Sequence, residues 1–184
     1  MTKMEENVVD LLIDQHNQIR RLFIEVATAV GDRKREAFAD LVRLLAVHES
    51  AEEAVVHPTA RRKIKGGDKI VEGLLDEESH AKQALADLYD IGVEHPEFDR
   101  KLQYLADAVI EHATSEETQE FGQLRASLTQ DELRRMAGAL KAAEAVAPTR
   151  PHPMAGESAA ANLVAGPPLA LFDRVRDAVR DWRG

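Results

Sequence analysis

Four histidines stand where an amphipathic helix ought to be apolar: His16, His48, His80 and His112. Two of them are followed four residues later by a glutamate, His48 by Glu52 in "HESAE" and His112 by Glu116 in "HATSE". Residues four apart lie one turn along the same helix face, so each pair presents an imidazole and a carboxylate together. Taken singly, such a histidine is more often a hydrogen-bonded core residue. Four helices doing the same thing point instead to a shared purpose. Imidazole nitrogens suit iron, copper or zinc, and a carboxylate can bridge two cations roughly 3.5 Å apart. The pattern therefore predicts a pocket for two cations, whose charge makes the burial of these groups tolerable.

The elements that must deliver these residues are helices. Apolar residues recur every three or four positions, Ala, Leu, Glu, Lys and Arg are abundant, and no stretch reads as a strand. The first helix follows Asn7 as cap and runs to about Gly31, with the stripe Val9, Leu12, His16, Ile19, Phe23, Val26 and Val30. The second starts after Asp32 and reaches about Ala60, with Phe38, Leu41, Leu45, His48, Glu52 and Val55. "KGGD" is a turn with Asp68 as expected N-cap; the third helix then carries Ile70, Glu77, His80, Ala84, Leu88 and Ile91, ending near Gly92. The fourth shows Phe98, Leu102, Leu105, Val109, His112 and Glu116, then Gln119 or Glu120. Joined by short connections they make an all-α, up-down-up-down four-helix bundle in which inward side chains at similar depth meet on the axis.

A capping box of Thr129 and Glu132 opens a fifth helix, expected to pack outside the bundle. The domain reading is thus a bundle over 1–127, an accessory helix over 128–147, a Pro/Ala/Gly-rich linker over 148–168 and an amphipathic C-terminal helix over 169–184. That last helix is a candidate docking element for a second copy or a protein partner.

Composition narrows the chemistry. There are no cysteines, which removes thiolate sites and leaves His, Asp and Glu as the strong metal ligands. A net charge of −9 argues against a protein built to grip nucleic acid. The N-terminus "MTKMEENVVD" has neither the basic flank nor the apolar run of a signal peptide, and no segment is long and apolar enough to span a membrane, so the expectation is a cytoplasmic protein without membrane contact.

In order and spacing these motifs resemble the hemerythrin-like family, the HHE cation-binding domain, over roughly residues 8 to 125: His16 in the first helix, "HESAE" in the second, His80 in the third, "HATSE" in the fourth, then "EFGQL". The resemblance implies a non-heme centre of two iron ions, oxo- or hydroxo-bridged, with Glu52 and Glu116 as bridging carboxylates and His16, His48, His80 and His112 as terminal ligands. It implies a small ligand, dioxygen, hydrogen peroxide or nitric oxide, and roles in oxygen binding, sensing or peroxide decomposition. One departure lies in the third helix, where oxygen-carrying members have two histidines four apart and this chain has Asp76 in place of the earlier one. Glu49 is the first choice to fill that position, because "HExxE" resembles the second-helix motif of an iron-sensing relative. Asp76, Glu77, a water and His57 compete with it. On an ideal helix His57, nine residues past His48, points about 180° away and needs local unwinding before Pro58 to reach the site. Glu53, Glu117 and Glu120 are read as facing solvent or supporting the ligands.

The functional expectation is a di-iron protein binding a small oxidant in redox stress, with catalase-like turnover. The alternative is an iron- or oxygen-sensing module without turnover.

Overall fold

Asn7 opens the first helix by accepting hydrogen bonds from the backbone N–H groups of Val9 (3.0 Å) and Asp10 (3.2 Å), satisfying donors that the first turn leaves free. The structure, a computed structural model, describes residues 6–146; the expected linker and C-terminal helix lie outside the described residues. Helix α1 spans Val8–Thr28, α2 Gly31–Ala51 and α3 His57–Lys63, with a π turn over Glu52–Val56 between the last two. After a turn at Gly66 and Gly67 come α4 (Gly67–Ile91) and α5 (Phe98–Ser115); a second π turn, Glu116–Phe121, leads into α6 (Gly122–Ser127), and α7 spans Gln130–Val146. Among the described residues no helix is long and apolar enough to cross a membrane.

The N-cap of α4 is Gly66, not the expected Asp68. Gly66 takes the left-handed conformation (φ 71°), and a side chain on Gly67 would collide with the Ala60 carbonyl. The chain thus turns too tightly for any residue but glycine. Asp68 falls in the first turn of α4 and pairs with Arg61 instead (3.2 Å).

The interior is divided into two apolar clusters. Val8, Val9 and Leu12 of α1 belong to one and Ile19, Phe23 and Val26 to the other. Helix α2 begins in the second cluster with Phe38 and Leu41 and passes by way of the π turn to Val55 in the first; α4 goes back from Val71 to Leu85 and Leu88; α5 returns from Phe98 and Leu102 towards Phe121. Each helix crosses from one cluster to the other in the direction opposite to its predecessor, which is the expected up-down-up-down bundle. The crossing points are His16, His48 to Glu52, Glu78, and His112 to Glu116, so a buried polar layer separates two dry halves.

Helix α7 does not sit outside. The capping box forms, with Glu132 N–H donating to Thr129 Oγ1 (3.2 Å) and Thr129 N–H to Glu132 Oε2 (2.9 Å). Leu133, Ala137, Leu140 and Ala143 then recur every three or four residues and are buried in the first cluster. Their apolar stripe completes one end of the core.

Candidate metal centre

Three imidazoles converge at this layer. Each is gripped from outside by its Nδ1, which donates to a fixed oxygen: His16 to Glu117 (2.8 Å), His48 to Gln15 (2.8 Å) and His112 to Glu77 (3.3 Å). With Nδ1–H engaged, the neutral ring offers the lone pair of Nε2, and that is how metal-binding imidazoles are oriented. The inward Nε2 atoms meet carboxylates: His16 Nε2 lies 3.2 Å from Glu116, His48 Nε2 3.3 Å from Glu52, and His112 Nε2 3.3 Å from Glu116 and 3.5 Å from Glu49.

Ligand atoms of His16, His48, Glu52 and Glu116 all lie within 4.8 Å of one another, and so do those of Glu49, His112 and Glu116. Glu116 belongs to both groups. The Nε2 atoms of His16 and His112, and both oxygens of Glu52 and of Glu116, are buried without a hydrogen-bond partner. Orphaned groups of this kind are rare in folded proteins, and each costs about 1–3 kcal/mol. The donor set, imidazole nitrogen plus carboxylate oxygen aimed at common points, fits cations that take N and O ligands.

Electrostatics agree with the geometry. Burial, together with its carboxylate neighbours Glu116 and Glu49, holds the Glu52 carboxyl well above the usual range. Burial also drives His48 down to about 4, the neighbouring His16 adding to the effect. For His112 burial opposes the charged form, but the carboxylates of Glu49 and Glu116 outweigh it and push the ring up to about 12. Below its raised value each such group holds a proton that an incoming cation must displace. Cation loading at pH 7 is therefore expected to release a proton from His112, and to weaken as the pH falls. An indicator dye in weak buffer measures the release; loading without proton release would contradict this assignment of charge.

The expected site residues divide clearly. His16, His48, Glu49, Glu52, His112 and Glu116 come together. His80 does not: it is exposed on α4, and its Nδ1 donates to the Asp76 carbonyl (2.8 Å). The reason is the rotation of α4, fixed by burial of Val71, Leu74, Leu85 and Leu88. That stripe passes through Glu78, and His80 stands about 200° round from it. Asp76 is likewise exposed, whereas Glu77 approaches the site from outside, taking hydrogen bonds from His112 and from Ser115 (3.1 Å). Glu78, not singled out in the sequence, is buried, ion-paired with Lys82, and raised to about 9 by burial and the nearby Glu49 and Glu53.

A π turn accounts for one more difference. A turn closed by an i to i−5 hydrogen bond, here His57 N–H to Glu52 O, takes up one surplus residue and rotates the next stretch of helix back by about 100°. His57 is thereby brought inside and buried, with Nδ1 donating to Glu120 (3.0 Å). Pro58, which cannot donate a backbone hydrogen bond, is the sequence signal for this turn. Glu120, read as facing solvent or supporting the ligands, is fully buried; four residues past Glu116, it keeps to that residue's face. Glu117 supports His16, and Glu53 pairs with Lys82 (3.0 Å).

Comparisons with known proteins agree. The chain is 32% identical over 143 residues to a protein of Nostoc sp. named DNA nickase, an alignment covering 77% of this chain and 40% of that relative's length. It is 27% identical over 139 residues to an uncharacterized hemerythrin-like protein of Schizosaccharomyces pombe, covering 75% of this chain and 68% of the relative. The fold is similar to the crystal structure of a hemerythrin HHE cation binding domain-containing protein from Mycobacterium kansasii, with a TM-score of 0.72 and 16% identity over 92% of this chain and 99% of that one. Residues 7–124 match the family model for the hemerythrin HHE cation binding domain, and with that match, over a bundle whose polar layer gathers His and Glu from three helices, this chain belongs to the hemerythrin HHE cation-binding family.

Proposed function

We propose that this chain is a non-heme di-iron protein that binds a small oxidant, with peroxide decomposition as the reaction the site favours. The observation that carries the reading is Glu116, fully buried and shared by two groups of inward ligand atoms. One carboxylate reaching both is what a bridged pair of ions needs. Iron is the metal of choice because the groups mix imidazole and carboxylate, a combination suited to non-heme iron. Bound iron would supply the electron exchange with the oxidant.

The chain's own residues set what can enter. A void of about 10 Å³ adjoins His16, His48, Glu49, His112 and Glu116, room for about one water-sized molecule. That size keeps out all but the smallest ligands. A larger groove of about 620 Å³, along Gln18, Arg21, Asp40 and Arg43, shares no residue with the cluster. Three carboxylates, Glu49, Glu52 and Glu116, match the three imidazoles in number. Such negative charge favours the ferric state over reversible oxygen carriage, which directs the centre towards peroxide.

Sensing is the second reading, and one contact favours it. Gln15, which orients His48, is itself hydrogen-bonded to Glu144 of α7. A change at the metal would be felt by the C-terminal part of the chain through that link. The relative named DNA nickase raises a third, since paired metal ions also cleave phosphodiesters. The depth of the cluster and a net charge of −9 do not suit a duplex.

Protein purified from iron-replete cells is expected to hold about two irons per chain with near-ultraviolet oxo-to-iron absorption, and to evolve oxygen from peroxide. Two irons with no oxygen evolution would select the sensor. Zinc alone, or no metal, would overturn the redox reading, and nicking of supercoiled plasmid would promote the third.

A further inference from the structure

His57 and Glu120 are a buried polar pair that neither ligand group absorbs. Both side chains are at least nine-tenths buried, joined by the 3.0 Å contact between His57 Nδ1 and Glu120 Oε1. Their remaining atoms, His57 Nε2 and Glu120 Oε2, have no partner. His57 thus repeats the two-ended arrangement of His16, His48 and His112: Nδ1–H held by an oxygen, Nε2 presented to the interior. An imidazole held that way has a lone pair to give and pays for burying it unused.

The two ligand groups are unequal. His16, His48, Glu52 and Glu116 make four ligands, whereas Glu49, His112 and Glu116 make three. Helix α4, which was expected to supply another imidazole, turns His80 to solvent and engages Glu78 with Lys82. A further imidazole for the poorer group therefore cannot come from α4. Beyond Glu120, the carboxylates whose charge acts on His57 are Glu116, shared by both groups, and Glu49, which belongs to the poorer one alone.

Resting on the di-metal reading above, we infer that His57 is the fourth ligand, through Nε2, of the ion held by Glu49, His112 and Glu116, and that Glu120 is the carboxylate that orients its ring. His57 is not among the atoms lying within 4.8 Å of one another, so ligation takes an inward swing of the ring. The π turn that ends at Val56 is where the helix can yield, because its hydrogen bonding is already loosened by one residue.

The test uses the full chain loaded with Co(II) and desalted. Wild type and His80→Ala are expected to retain about two ions, and His57→Ala about one, with millimolar free imidazole restoring the second. Glu120→Gln is expected to weaken the second ion by about 10- to 100-fold. A purely structural role for His57 would not be rescued by imidazole. On the wild type itself, four contact-shifted ring N–H resonances support the inference and three overturn it, which keeps the test decisive should a variant fold poorly. If His57→Ala binds two ions with an unchanged spectrum, His57 is not a ligand and the di-metal reading stands. If the wild type binds none, both fall.

Discussion

Glu116→Gln is expected to leave the chain unable to hold either ion of the proposed pair, the metal content of loaded, desalted protein falling from about two per chain to near zero. The effect is large because one residue serves both groups. Glu116 Oε2 lies 3.2 Å from His16 Nε2 and Oε1 lies 3.3 Å from His112 Nε2, so its two oxygens face two different ligand sets. A glutamine keeps the shape but offers one oxygen, and its NH2 presents hydrogens to the remaining cation. The neutral amide also removes one negative charge where positive charge must be matched. Glu49→Gln is the informative contrast, because Glu49 belongs to the three-ligand group alone. It is expected to lose one ion and keep the other. Elemental analysis of the two variants side by side decides the point, and a Glu116→Gln protein that retains one tightly held ion would show that Glu116 is not shared.

Removing the metal with a chelator is expected to lower the melting temperature by about 10 °C, the second large effect. The atoms of His16, His112, Glu52 and Glu116 that lie buried without a hydrogen-bond partner would gain one in a bound cation. A ligand that binds the folded chain at a thousandfold excess over its Kd stabilises it by about 4 kcal/mol. For a chain of this size each 1 kcal/mol moves the melt by about 2–4 °C. The increment should grow with free metal concentration, which separates linkage from a general salt effect. Calorimetry with and without chelator measures it; coincident melts would mean that the polar layer is stable by itself.

Much of this arrangement is legible in the chain, and the failures have identifiable causes. On α1, α2 and α5 the histidines interrupt stripes of strong apolar residues, and those stripes fix the rotation of each helix, so His16, His48 and His112 fall where the periodicity puts them. On α4 two stripes one residue apart compete. The one through Glu77 and His80 is attractive for its chemistry, but Val71, Leu74, Leu85 and Leu88 bury more apolar surface, and burial decides. Weighing side-chain size before chemistry turns His80 outward and points to Glu78. The π turns are a different kind of failure. A surplus residue in a helix is accommodated only when neighbouring helices hold the chain on both sides of it, which a 3.6-residue period cannot express. His57 is therefore legible as a residue type and illegible as a position. The outer partners are partly visible: Glu117 reads as a support, whereas Gln15, an unremarkable polar residue on α1, gains meaning only through its contact with His48.

The stretch that matches the family ends at residue 124, yet Leu133 and Leu140, both fully enclosed, belong to the same apolar cluster as Leu12, Val56 and Leu124. A chain trimmed to the matched span would hence open to water the cluster that also holds Phe121, whose ring stacks on His16 at 5.7 Å. The smallest self-sufficient unit of this protein accordingly extends at least through Ala143, and the keel that α7 provides is as much a condition for assembling the ligands as the four helices that bear them.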